Sequence, residues 1–128
     1  MTVNDKRPVN LALGTIHFPL PTIASILHRI SGFALFAVLP AILWAWQQSL
    51  SSPEAFQSLV DCLWFRLGAL VVVAGVLFHF MAGLKHLVMD LGIGESLEGV
   101  RLLSIGVLFG SAILIAAAAI WILGGVAW

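Results

Sequence analysis

The chain has 128 residues, of which 61% are apolar and 9% charged, and a mean hydropathy of +1.09 excludes a water-soluble domain with a polar shell. Six Lys/Arg balance six Asp/Glu, so the chain carries neither a basic face for nucleic acid nor an acidic tail for a cationic partner. Its single cysteine, Cys62, excludes an internal disulfide framework and a zinc or iron–sulfur ligand set built by this chain alone.

In chain order, residues 1–24 read as a cytoplasmic leader. They contain Asp5, Lys6, Arg7, His17, Pro19 and Pro21, and they lack both the apolar run with a small-residue cleavage site of a signal peptide and the Arg- and Ser-rich character of a transit sequence. A bacterial product is therefore expected, with His17 on the surface. Charges then delimit three uncharged stretches, Ile30 to Pro53, Leu67 to Leu84 and Leu102 to Trp128. Each approaches or exceeds the roughly 20 residues that cross a bilayer as a helix. The expected fold is a single all-α domain, an integral membrane protein whose three transmembrane helices, near 25–47, 63–89 and 102–126, form part of a multi-subunit helical bundle.

Within span one, Pro40 removes a helical hydrogen bond and crowds the carbonyl of Phe36, which predicts a mild kink. Ser52-Pro53-Glu54 has the order of an N-cap, a first-turn proline and an acid near the helix dipole, and predicts a short helix ahead of span two. Leu91 to Glu95, with two glycines, predicts the turn between spans two and three. Gly106 and Gly110 on span three form a GxxxG expected to make a helix contact. Trp44, Trp46, Trp64, Trp121 and Trp128 mostly fall towards one interface, as an aromatic belt would.

Polar residues inside such spans need partners within the bundle or on another chain. Span two carries His79, Gly83, His86 and Asp90 on one helical face. At about 1.5 Å per residue His79 lies about 16 Å from Asp90 along the axis, inside the hydrocarbon. An imidazole there serves as a metal or haem ligand, a proton relay or a hydrogen-bonded packing residue. No second ligand stands beside it, so a haem with two histidine ligands needs the other from a different subunit. Gly83, one turn away, admits a flat macrocycle or simply a neighbouring helix. At the start of span one, Ser25, His28 and Arg29 share a face. They form a polar mouth suited to a quinone carbonyl or a haem propionate, unless Arg29 only snorkels to water.

These residues also carry a resemblance. Arg7-Pro8-Val9, Leu13, Leu20 and the run Ser25-Ile26-Leu27-His28-Arg29-Ile30-Ser31, together with His79 through Gly92, resemble the two signature segments of the cytochrome b556 membrane-anchor family of succinate dehydrogenase. The family usually has Arg where this chain has Lys85, which keeps the charge but loses the guanidinium fork. The resemblance implies a complex in the bacterial inner membrane with a flavoprotein subunit, an iron–sulfur subunit and a second membrane-anchor subunit, haem b being shared between the two anchors near a ubiquinone site. It makes His79 the axial iron ligand, Ser25 and Arg29 quinone-binding, and His28, Arg29, Gly83 and His86 haem-binding. Asp90 and His86 become candidates for a proton path or for docking the iron–sulfur subunit. A fumarate reductase anchor and a haem-free scaffold that docks soluble subunits are the alternatives. No succinate chemistry is expected of this subunit itself.

Topology follows from the cations. Lys6, Arg7 and Arg29 precede span one, Lys85 and Arg101 flank the second loop, and Arg66 alone borders the first. This bias predicts a cytoplasmic N-terminus and an external C-terminus. A periplasm-dependent reporter fused after Trp128 should therefore be active and one fused near Gly94 silent; the reverse pattern at both positions contradicts this arrangement.

Overall fold

The computed structural model describes residues 18–124. The leader residues through His17, including Arg7-Pro8-Val9 and Leu13, and Trp128 at the far end lie outside the described residues.

Four helices follow one another: α1 (Leu20–Ser49), α2 (Pro53–Asp61), α3 (Leu63–Asp90) and α4 (Leu97–Leu123). Three of them, α1, α3 and α4, are long and apolar enough to span a membrane, which makes this a multi-pass membrane protein of all-α class. α1 and α3 are longer than their uncharged stretches, and α4 begins five residues before its own, because a helix can start ahead of the apolar run it carries. α1 opens with Pro19 as N-cap and Pro21 in the first turn, where the missing N–H groups are no loss. At 30 residues it is about 45 Å long, so its ends extend past a hydrocarbon core of about 30 Å. It runs unbroken through Pro40.

The short helix expected after Ser52 is present as α2. The Ser52 hydroxyl accepts a hydrogen bond from the Ala55 N–H at 3.1 Å, and Pro53 and Glu54 occupy the first turn. The hydrogen bond of Glu54 to its own backbone, then the Ser52 hydroxyl, hold the Glu54 carboxyl below the usual carboxylate range. Cys62, exposed, is at once the end of α2 and the N-cap of α3, with an extended ψ of 113° that redirects the chain into the bundle.

The turn between α3 and α4 falls on the glycines expected for it. Gly92 and Gly94 have φ of +78° and +77°, a region that side chains with a Cβ avoid. The turn folds back tightly on α4: a Cβ on Gly99 would meet the Gly94 carbonyl oxygen at 2.7 Å. Ser96 caps α4 by accepting from the Gly99 N–H at 3.1 Å.

α3 packs most extensively on α4 and then on α1, while α1 and α4 touch less. The buried set consists largely of small residues, Ala24, Ala82, Ser104, Val107 and Ser111. Large side chains such as Phe33, Phe36, Trp64 and Phe109 point outwards. That inversion is what a bilayer requires: lipid tails solvate Phe and Leu as well as a core does, so helices associate by close approach of small residues. Only half of the GxxxG takes part. Gly110 lies under Met81, whose Cε would be 2.9 Å from a Cβ there, whereas Gly106 has nothing within 4 Å. The seam runs instead through Ser104, Val107 and Ser111, a spacing that turns Gly106 away from α3. Trp44, Trp46, Trp64 and Trp121 are exposed and cluster towards the α2 end of the bundle.

The lone cation at that end is used structurally. Arg66 donates from Nε and from a terminal nitrogen to the Ile122 carbonyl, at 2.8 and 2.5 Å. This carbonyl lies in the last turn of α4, which lacks helical donors of its own and carries the negative end of the helix dipole. Arg66 thereby ties α3 to α4 at the end opposite the Gly92–Gly94 turn.

Candidate functional site

Two polar stripes meet where the N-terminal half of α1 crosses the C-terminal half of α3. On α1 the stripe is Ser25, His28, Arg29 and, one turn on, Gly32; on α3 it is His79, Gly83 and His86. The stripes place three imidazoles in a row. The His28 ring stacks on His79 with centroids 4.2 Å apart and an interplanar angle of 24°. On its other side it lies 5.2 Å from His86, tilted by 37°.

His79 is held by α1. Its Nδ1 lies 3.1 Å from the His28 carbonyl oxygen and 3.0 Å from the Ser31 hydroxyl. The Ser31 hydroxyl in turn donates to the same carbonyl at 2.8 Å. A carbonyl only accepts, and the hydroxyl has spent its proton on that carbonyl, so the network assigns the proton of the imidazole to Nδ1. Nε2 is left with a bare lone pair, the tautomer that ligates metal. The ring reaches this position because α1 has a glycine opposite it: a Cβ on Gly32 would stand 2.8 Å from the His79 Cε1. At Gly83, by contrast, the nearest group is the His28 Nε2, at 3.7 Å from where a Cβ would be. This is an ordinary contact, and no helix backbone packs there. The face of α3 at Gly83 is thus covered by the His28 imidazole rather than by a helix backbone.

A cleft of about 340 Å³ opens beside this cluster at the N-terminal end of α1, lined among others by Thr22, Ser25, Arg29, Lys85, His86 and Met89. Ser25 and His86 are half-buried and Arg29 exposed. Two cations, an imidazole and two hydroxyls therefore border one cavity, and among the described residues none that lines it is a carboxylate. Chemically, such a cleft donates hydrogen bonds to oxygen atoms that carry or acquire negative charge.

Of the residues singled out from sequence, Ser25, Arg29 and His86 share the cleft and His79, His28 and His86 share the imidazole row. Gly83 adjoins the row. Asp90 does not join either group: it is exposed at the end of α3, outside the cleft lining. Sequence reasoning missed the two residues that orient His79, Ser31 and Gly32. The α1 stripe continued one more turn, from Ser25 by seven residues to Gly32, contains the signal for the glycine. It also treated Lys85 only as a substituted charge. Lys85 is in fact buried between α3 and α4, its ammonium 3.5 Å from the Ser104 hydroxyl.

Among known proteins, residues 3–118 match the family model described as succinate dehydrogenase/fumarate reductase transmembrane subunit. The chain is 41% identical over 124 residues to the succinate dehydrogenase cytochrome b556 subunit of Coxiella burnetii, covering 94% of this chain and 99% of that one. It is 32% identical over 112 residues to the subunit of that name from Paracoccus denitrificans, covering 85% and 86%. With the one from Rickettsia prowazekii the identity is 30% over 101 residues, covering 78% and 80%.

The contact between Gly32 and His79 has a measurable consequence. Alanine at position 32 places a Cβ where the His79 ring stands, so the imidazole must shift, and a gain in helix propensity of up to about 1 kcal/mol offsets only part of that cost. Gly32→Val lacks that compensation and overpacks the contact, which should cost about 1–3 kcal/mol and displace the imidazole. Thermal unfolding together with ¹⁵N resonances of histidine-labelled protein checks both; a wild-type midpoint and unaltered His79 resonances in Gly32→Val would contradict the contact.

Proposed function

The chain belongs to the succinate dehydrogenase/fumarate reductase transmembrane-subunit family and is a membrane-anchor subunit of succinate dehydrogenase, and from this premise we propose that it holds haem b through His79 and contributes Ser25 and Arg29 to a ubiquinone-reduction site. The observation that carries the haem reading is the state of His79. Its Nδ1 faces the His28 carbonyl and the Ser31 hydroxyl, and since a carbonyl only accepts, the proton belongs on Nδ1 and the Nε2 lone pair is the one available to a metal. That is the arrangement in which protein groups behind an imidazole orient it as a ligand and raise its basicity.

The residues present fit such a group. Among the described residues no set of three His, Cys, Asp or Glu is placed to hold a metal by itself, so a haem held by His79 would take its other protein ligand from the second anchor subunit. Gly83, which has no side chain and only the His28 imidazole against it, would let the group approach α3, with His86 nearby. His28 and Arg29 supply donors for the propionates. Haem b, when bound, supplies a one-electron redox centre within the membrane.

Reduction of ubiquinone to ubiquinol takes two electrons and two protons, converting both carbonyls to hydroxyls. Electrons reach the site from an iron–sulfur subunit docked on the cytoplasmic face, succinate itself being oxidised on the flavoprotein subunit. The Ser25 hydroxyl and the Arg29 guanidinium donate to a quinone oxygen as it gains charge, a stabilisation that grows along the reaction and therefore accelerates it. His86 in the cleft and Asp90 one turn below it on the same face form a candidate path for protons from the cytoplasm. The setting is the bacterial inner membrane with the N-terminus inside, in accord with the five-to-one distribution of cations and with relatives that are bacterial.

Two measurements test this. His79→Ala in the assembled complex should abolish or rearrange the low-spin haem spectrum, while His17→Ala leaves it unchanged; an unaltered spectrum in His79→Ala, or its loss in His86→Ala alone, assigns the ligand elsewhere. Ser25→Ala and Arg29→Leu should each lower quinone reduction about ten- to a hundredfold, the effect of one hydrogen bond to a charged group, with succinate oxidation by an artificial acceptor on the soluble subunits retained. Arg29→Lys should recover only part of the rate, because it restores charge without the planar fork. Full quinone reduction in a Ser25→Ala, Arg29→Leu double variant would move the quinone away from this cleft.

A further inference from the structure

The cleft that contains Ser25 and Arg29 contains a third donor that the family resemblance does not assign. Lys85 lies on its wall, yet the residue as a whole is only 5% exposed. A lysine at this depth is costly unless its charge is used. Among the described residues its one hydrogen bond runs to the Ser104 hydroxyl, at 3.5 Å, long for such a contact. Ser104 is itself fully buried, and its hydroxyl donates to the Val100 carbonyl at 2.7 Å. The Ser104 oxygen therefore has only lone pairs to offer, which suits a lysine that has only protons. Ser104 occupies one of the three N–H donors of the ammonium and leaves two.

We propose that Lys85 is a further positioning residue of the quinone cleft, anchored from behind by Ser104, whose remaining N–H donors hold a quinone oxygen together with Arg29. The inference rests on the reading of the cleft as the quinone site. The placement of Lys85 carries it: an ammonium between two helices, fixed at the seam side by α4, bordering a cavity whose lining, among the described residues, includes a second cation and no carboxylate. Two like charges on one small cavity repel each other unless an electron-rich ligand lies between them. A quinone oxygen that gains negative charge during reduction meets that need, and more strongly in the reduced state than in the oxidised one. A haem propionate has the same chemistry, and Arg29 and His86 border both groups, so the haem band and the quinone kinetics of the variants below distinguish the two.

The test uses the complete complex in membranes, with a short-chain ubiquinone as substrate, and compares Lys85→Met, Lys85→Arg, Ser104→Ala and Ser25→Ala. Lys85→Met should lower kcat/KM for the quinone about ten- to a hundredfold, with artificial-acceptor activity and the haem spectrum as in the wild type. Lys85→Arg, which keeps the charge and the donors, should remain within about threefold, a rescue that a packing role would not produce. Ser104→Ala, which removes a neutral acceptor and leaves the charge, should lose about fivefold. Wild-type quinone kinetics in Lys85→Met overturn the proposal while leaving the cleft intact if Ser25→Ala is impaired. If Ser25→Ala is also unimpaired, the quinone reading of the cleft fails with it. A shifted haem band in Lys85→Met with normal quinone kinetics assigns the ammonium to a propionate and overturns it too. Should Lys85→Met fail to assemble, Lys85→Arg and Ser104→Ala decide: equal losses of quinone and artificial-acceptor activity in both reduce Lys85 to a packing residue.

Discussion

Inside a bilayer a polar group has no water to fall back on, so each one must be matched by a protein group or a ligand. The contact of the His79 Nδ1 with the His28 carbonyl is where this protein meets that requirement most tightly. It fixes the crossing of α1 and α3, because the ring must reach a backbone oxygen of the other helix. It requires Gly32, whose missing side chain is the space the ring occupies. It also decides the tautomer, leaving the second nitrogen available as a ligand. One contact thus links helix packing to cofactor chemistry, and removing any of its parts disturbs both.

The rest of the bundle divides its polar groups by the same rule. Arg66 satisfies an end carbonyl of α4 at one end of the molecule, while Ser111 turns its hydroxyl back onto its own helix. These pairs are internally complete and serve packing. At the other end, Arg29 and Lys85 border an open cleft with donors to spare. The distinction between structural and functional polar residues follows from this difference: a closed pair needs nothing more, whereas an incomplete one calls for a ligand or a second subunit.

The large exposed apolar surface has the same origin. Phe33, Phe36, Leu43 and Trp64 are exposed, which in water would drive aggregation. In a membrane such side chains can face lipid, and the chain has only a thin core of small residues with which to hold itself together. Three helices with so slight a core suit one part of a larger bundle, as expected of a membrane-anchor subunit of a complex.

Hydropathy alone determined the number of membrane-spanning helices, because a run of about 20 apolar residues has essentially one way to satisfy its backbone in lipid. Local sequence also determined α2 and the turn before α4, since Ser52, Pro53, Gly92 and Gly94 act through their own backbone and its nearest neighbours. Helical spacing was enough to put His79, Gly83 and His86 on one face, and the family resemblance supplied their expected roles. Only the tertiary structure decided which helix that face meets. The partners of His79 lie 48 to 51 residues away, and no pattern within one helix specifies a crossing. Ser31 and Gly32 were unremarkable until α1 lay against α3. Lys85 read as a charge at a membrane edge until α4 covered it, because burial is a property of neighbouring helices and not of the residue.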